Sequence, residues 1–157
     1  MNRSQRFTLV ALAALTLAAG TASASPRCRN VHSRVTITAE AVPTCGSPIG
    51  LCATTTYRGQ LRGTSEFTGT SFQTTVDTPV SASVILTGDN HIHLRDGDLL
   101  TKDAIVLSNL PTGEFAEVDT ILSGTGAYAG ATGNLVATGT FVNGVGEGQL
   151  EGMICVP

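Results

Sequence analysis

Tryptophan is absent from this 157-residue sequence, and aromatic residues make up only 4% of it. Charge is scarce too, at 13% Asp, Glu, Lys and Arg, about half of the ~25% usual in globular proteins. With 41% hydrophobic residues beside so little charge, the chain is not a disordered polyelectrolyte. Nine residues are Lys or Arg, and only Lys102 is a lysine. That excludes the basic footprint of a nucleic-acid binder. No apolar run reaches the ~20 residues of a membrane span. No window carries apolar residues at helical spacing over three turns, and the Ala, Glu, Lys and Leu richness of a helical bundle is missing outside the first residues. There is no C-x-x-C pair, no phosphate loop and no nucleophile elbow.

What is present begins with a leader. Arg3 and Arg6 precede an apolar stretch over 7–19, and Ala22-Ser23-Ala24 is a small-residue cleavage site. Residues 1–24 therefore read as a secretory signal peptide. Export follows, to the periplasm or the extracellular space. Residues 25–51 read as an N-terminal arm and 52–157 as the folded domain. Charge is divided unevenly: 25–62 carries +4 and 63–157 carries −9. The basic segment is expected to pair with the acidic remainder.

All four cysteines, Cys28, Cys45, Cys52 and Cys155, follow the leader. An even number in an exported chain predicts two disulfides and no free thiol. Three connectivities are open. Cys28–Cys45 with Cys52–Cys155 is favoured: the first closes the arm, and the second ties the first core strand to the last residues.

Thr, Val, Ile and Gly dominate after Pro43, in short runs separated by Gly, Asn, Asp and Pro. Strands are predicted over 35–41, 52–61, 63–75, 80–87, 91–95, 99–107, 114–122, 134–142 and 149–155. Turns are predicted at Thr87-Gly88-Asp89-Asn90, Asp96-Gly97-Asp98, Pro111-Thr112-Gly113 and Asn143-Gly144. The last is the strongest hairpin signal, because both positions accept positive φ. The 99–107 run is apolar on both faces: Leu99, Thr101, Asp103, Ile105 and Leu107 alternate with Leu100, Lys102, Ala104 and Val106. A barrel wall covered by a partner subunit or loop explains this, and so does a central sandwich strand. A homo-oligomer fits the first.

Residues 122–141 read LSGTGAYAGATGNLVATGTF. Gly124, Gly126, Tyr128, Gly130, Ala131 and Gly133 resemble the Gly-rich turn of the allene oxide cyclase-like and dirigent-like barrels, a group with exported bacterial members. The resemblance implies an antiparallel closed barrel of about eight strands, with the Gly segment joining neighbouring strands and Tyr128 capping one end. It implies a lumen holding a small apolar or aromatic guest. Some relatives are cofactor-independent cyclases, and others steer the coupling of reactive guests. The Gly segment itself is a structural turn, and it transfers no catalytic residue.

Candidate chemistry comes from polar residues at unusual places. Asp103 lies between Thr101 and Ile105 on an apolar face, where desolvation would make it a proton-transfer group. Glu117 and Asp119 share a face with Phe115 and Ile121, and paired carboxylates can act as acid and base. These three are the catalytic candidates; the plainer expectation for the pair is a wetted outer face. Tyr57, Arg58 and Tyr128 are candidate guest contacts, as are His91 and His93. The two His share a strand face and could hold a metal only with a third ligand. His32, the one other His, lies in the arm, so no metal and no cofactor are expected. Two readings follow: a secreted barrel that binds a small apolar or aromatic molecule, or a cofactor-free cyclase or isomerase. Unpaired polar groups in the lumen would favour the enzyme. A narrow lumen filled by Leu, Val and Phe would favour binding elsewhere, or a purely structural role.

Overall fold

The computed structural model describes residues 25–40, 45–75, 83–108 and 112–157. The leader over 1–24, the expected strand ends at Ala41 and Val80, and the expected turn residue Pro111 lie outside the described residues. Eight strands follow in order: β1 Arg27–Glu40, β2 Cys52–Gly59, β3 Gly63–Thr74, β4 Ser83–Leu94, β5 Gly97–Ser108, β6 Thr112–Gly124, β7 Thr132–Val142 and β8 Val145–Val156. Each pairs antiparallel with the next, and β1 pairs with β8 to close the barrel. Closure leaves no sheet edge among these strands.

Local chemistry explains the connections. Asn143 (φ 50°) and Gly144 (φ 84°) form the β7–β8 hairpin turn. This is the positive-φ pair of a turn whose twist matches the strands it joins. The Gly-rich segment joins β6 to β7 as expected, through a single 3-10 turn over Gly126–Tyr128.

Three expectations are corrected. First, the wall begins at Arg27 and not at Cys52. Val31, Ser33 and Val35 alternate inward along β1, so most of the expected arm is a barrel stave bonded to both β2 and β8. Second, the disulfides are Cys28–Cys155 and Cys45–Cys52. Cys28 and Cys155 are direct partners in the β1–β8 register. The chain ends meet at that seam, so the long-range bridge belongs to β1 and not to β2. Third, Thr87-Gly88-Asp89-Asn90 is no turn: β4 runs straight through it. Gly88 is there for space. A Cβ at this position would stand 2.2 Å from the Phe67 ring and 2.6 Å from the Thr68 carbonyl oxygen. Among the described residues the expected pairing of basic and acidic segments comes down to the His32–Glu151 contact. Among the described residues no arginine lies within ion-pair distance of a carboxylate; the four ion pairs use His32, His91, His93 and Lys102.

The lumen is divided lengthwise. At the end where β1 starts, Val31, Leu61, Ile92, Leu99, Leu135, Leu150 and Ile154 are buried in one packed cluster. Tyr128 and Ala131 from the Gly segment plug this end, and Arg29 donates to the Tyr128 hydroxyl at 3.0 Å. Burial of this aliphatic set supplies the main stabilisation, about 1.5–3 kcal/mol per large side chain. The other half is not filled. Outside, the second face of the apolar strands stays exposed at Leu100, Val106, Val118 and Val136.

Candidate functional site

Strand alternation sends Leu99, Thr101, Asp103, Ile105 and Leu107 of β5 to the lumen side. The neighbouring strand β6 sends Phe115, Glu117, Asp119 and Ile121 there. In the β5–β6 register Asp103 stands opposite Asp119, and Glu117 stands opposite Ile105. The three acids read from the sequence thus meet at mid-lumen, with one carboxylate oxygen from each within 4.8 Å of the others. Asp103 and Asp119 are each only 1% exposed. The wetted outer face expected for Glu117 and Asp119 is overturned: their face is the inner one.

A polar ring surrounds the acids. Thr101 Oγ1 donates to Asp103 Oδ1 at 2.6 Å. Asn90 of β4 is the register partner of Thr101 and is buried. The Tyr57 hydroxyl meets Ser65 Oγ at 3.1 Å across β2 and β3. Burial is the first cause of every shift in the group. It lifts Glu117 to about 8, with the Asp103 charge adding to it. It lifts Asp119 well above the carboxylate range, helped by the charges of Glu117 and Asp103. Asp103 rises only to about 6, because hydrogen bonds from Thr101 and Asn90 oppose its desolvation. Tyr57 is pushed up by burial and then by Asp119, so its phenol stays neutral.

Such groups titrate as a unit. Burial favours the protonated form of each acid, and Asp103 is opposed in this by the hydrogen bonds it accepts. With all three acids ionised, Asp103 Oδ2 and Asp119 Oδ1 are buried without a donor, as is Asn90 Oδ1. Buried acceptors of this kind cost about 1–3 kcal/mol each. A proton held by a neighbouring carboxyl would relieve part of this cost.

Directly beyond the acids the lumen opens. A cavity of about 410 Å³ is lined by Ile37, Ala39, Ile49, Leu51, Ala53, Thr55, Phe67, Phe72, Val84, Leu86, Ile105, Leu107, Phe115, Glu117, Phe141 and Gly144. Among the described residues only Thr55 and Glu117 bring polar side chains to it. The size lies within the ~300–1,000 Å³ range of small-molecule sites. The Cys45–Cys52 bridge pins the segment that carries Ile49 and Leu51 across the rim, and Ser47 Oγ donates to the Gly69 carbonyl at 2.6 Å.

The remaining candidates fall elsewhere. Tyr57 joins the polar ring. Arg58 is exposed on the outer face of β2, and its β1 partner is Arg34. Tyr128 plugs the filled end and does not line the cavity. His91 and His93 stand on the outer face of β4 beside Asp98. Sequence reasoning missed Asn90, Ser65 and Asp98. Asn90 and Asp98 were hidden in turn-like runs, and Ser65 carries no signal of its own. No protein-family model, curated protein or solved structure matches the chain.

Proposed function

We propose that this is an exported barrel that takes a small apolar or aromatic molecule into the open half of its lumen and orients it over the acid cluster. The observation that carries the reading is the composition of the cavity. Its wall is aliphatic and aromatic, and a buried carboxyl, Glu117, stands at its floor. Apolar area supplies affinity for a guest, and a few fixed polar groups select its orientation. Export is supported by the leader-like first residues and by two disulfides, which persist in oxidising compartments. The test uses N-phenyl-1-naphthylamine, a neutral aromatic dye that brightens in apolar surroundings. The oxidised protein is expected to bind it at one site. Ala53→Phe, which fills the cavity from its wall, should abolish binding while the far-UV circular dichroism stays that of the parent. No binding, or equal binding by this variant, overturns the reading.

A second reading, a cofactor-free cyclase or isomerase, draws support from the protonation state of Glu117. A carboxyl raised to about 8 and facing an apolar cavity still holds its proton at neutral pH, when it can hand it to a guest oxygen. Fixing the guest in one conformation would add to the rate. Incubation with a short-chain unsaturated epoxide, followed by chiral chromatography, tests it. Enrichment of one product enantiomer, lost in Glu117→Gln, is expected. A product mixture identical to that formed in buffer sinks it.

A further inference from the structure

A second group of ligating side chains lies outside the barrel. His91 and His93 lie two residues apart on β4 and so share its outer face. Their rings stand 4.1 Å apart between centroids. Asp98, at the start of β5, is the register partner of His93. Its carboxylate faces both rings: Oδ2 lies 3.3 Å from His91 Nε2, and Oδ1 lies 3.4 Å from His93 Nδ1. One ligand atom from each residue falls within 4.8 Å of the others. We propose that His91, His93 and Asp98 form a surface site for a divalent transition-metal ion of the zinc class, separate from the lumen.

The spacing is close to what an ion requires. Ligands about 2.0–2.1 Å from a tetrahedral zinc stand about 3.3–3.4 Å from one another. Each ring nitrogen has an Asp98 oxygen at about that length, a different oxygen for each ring, so a turn of the carboxylate brings one oxygen to an ion held by both rings. Two imidazoles with one carboxylate select Zn²⁺, Ni²⁺ or Cu²⁺ over Mg²⁺ or Ca²⁺, which prefer all-oxygen sets. The side chains are 35–44% exposed, so an ion can reach them from solvent.

The frame is built before any ion arrives. β4 and β5 fix the ring spacing. The Asp98 backbone is held on both sides, its N–H donating to Thr125 Oγ1 at 3.0 Å and its carbonyl accepting from the Thr125 N–H at 2.9 Å. The Gly-rich segment thus fixes the backbone from which the carboxylate projects. Glu66 on β3 is the register partner of His91 and adds negative charge beside the site. Lys102, the nearest cation on β5, is engaged by Asp89 at 2.8 Å and does not neutralise it. Three protein ligands leave a fourth position for water, the arrangement of an open zinc site.

Untagged, oxidised protein titrated calorimetrically with zinc chloride at neutral pH tests the proposal. One ion per chain should bind, and Co²⁺ at the same site should give the strong visible bands of a four-coordinate ion. His93→Ala and Asp98→Asn should each weaken binding at least about 100-fold, since losing even an outer-shell partner costs 10–100-fold. Circular dichroism of the variants serves as the folding control. Three results overturn the proposal: no heat at millimolar zinc, full binding by a His91→Ala/His93→Ala double variant, or loss of binding in Asp119→Asn with the His variants unaffected. The last would move the ion into the lumen.

Discussion

At the scale of single residues, Glu117 has the most to say, because its proton couples the cavity to stability. Its folded-state pKa of about 8 lies above its ordinary value of 4.5. The folded protein therefore binds more protons than the unfolded chain between those values, and stability falls as pH rises through the window. The contribution is intact at acid pH and fully lost above about pH 8. Glu117→Gln carries no proton to lose. Its unfolding free energy, measured by urea titration, should match the parent near about pH 4 and exceed it near about pH 9 by on the order of a few kcal/mol. Parallel curves for parent and variant would show that Glu117 is not held in a dry lumen. Asp119→Asn should behave in the same direction, since burial and its two acidic neighbours raise Asp119 as well.

At the scale of elements, two glycines have different duties and different costs. Gly88 lets the Phe67 ring approach the middle of β4 closely. Gly88→Ala places a methyl group against that ring and against a backbone carbonyl, so overpacking should cost about 1–3 kcal/mol. Gly144 has open space, with only the Ala39 carbonyl oxygen at 3.4 Å, but its φ is 84°. Gly144→Ala should cost about 1 kcal/mol through backbone strain alone. Denaturation midpoints of the two variants separate the mechanisms. A Gly88→Ala variant within about 0.5 kcal/mol of the parent would mean that β4 does not lie against Phe67 as described.

At the scale of the whole molecule, the two disulfides do different work. Cys28–Cys155 spans 127 residues and locks the seam where the barrel closes. Cys45–Cys52 spans seven and secures the cavity rim. In the chain-entropy model the first is worth about 5 kcal/mol and the second roughly half as much. Removing Cys28 and Cys155 together should therefore lower stability more than removing Cys45 and Cys52. The shorter bridge, by contrast, should matter more for dye binding, because it carries Ile49 and Leu51 into the cavity wall. Non-reducing peptide mapping checks the pairing, and equal losses from both double variants would contradict this division.

Much of this architecture was legible in the chain itself. Period-two runs between Gly, Asn and Asp turns determine the all-β class. Asn143-Gly144 determines a hairpin, and the Gly124–Gly133 stretch a connection between neighbours, because those backbone conformations depend on local residue type. Alternation also determines which residues share a face, so Asp103 was placed with Ile105, and Glu117 with Phe115 and Asp119, from sequence alone. Which face turns inward was not determined. The outer face of β5 and β6 is itself apolar at Leu100, Val106 and Val118, so alternation carries no sign. Only closure of the barrel decided it, by packing Phe115 and Ile121 inside and drawing the acids in with them. Closure also set every long-range pairing. Cys28 meets Cys155 because β1 completes the wall. Cross-strand partners of this kind depend on where the other strands end, which no local stretch of sequence encodes.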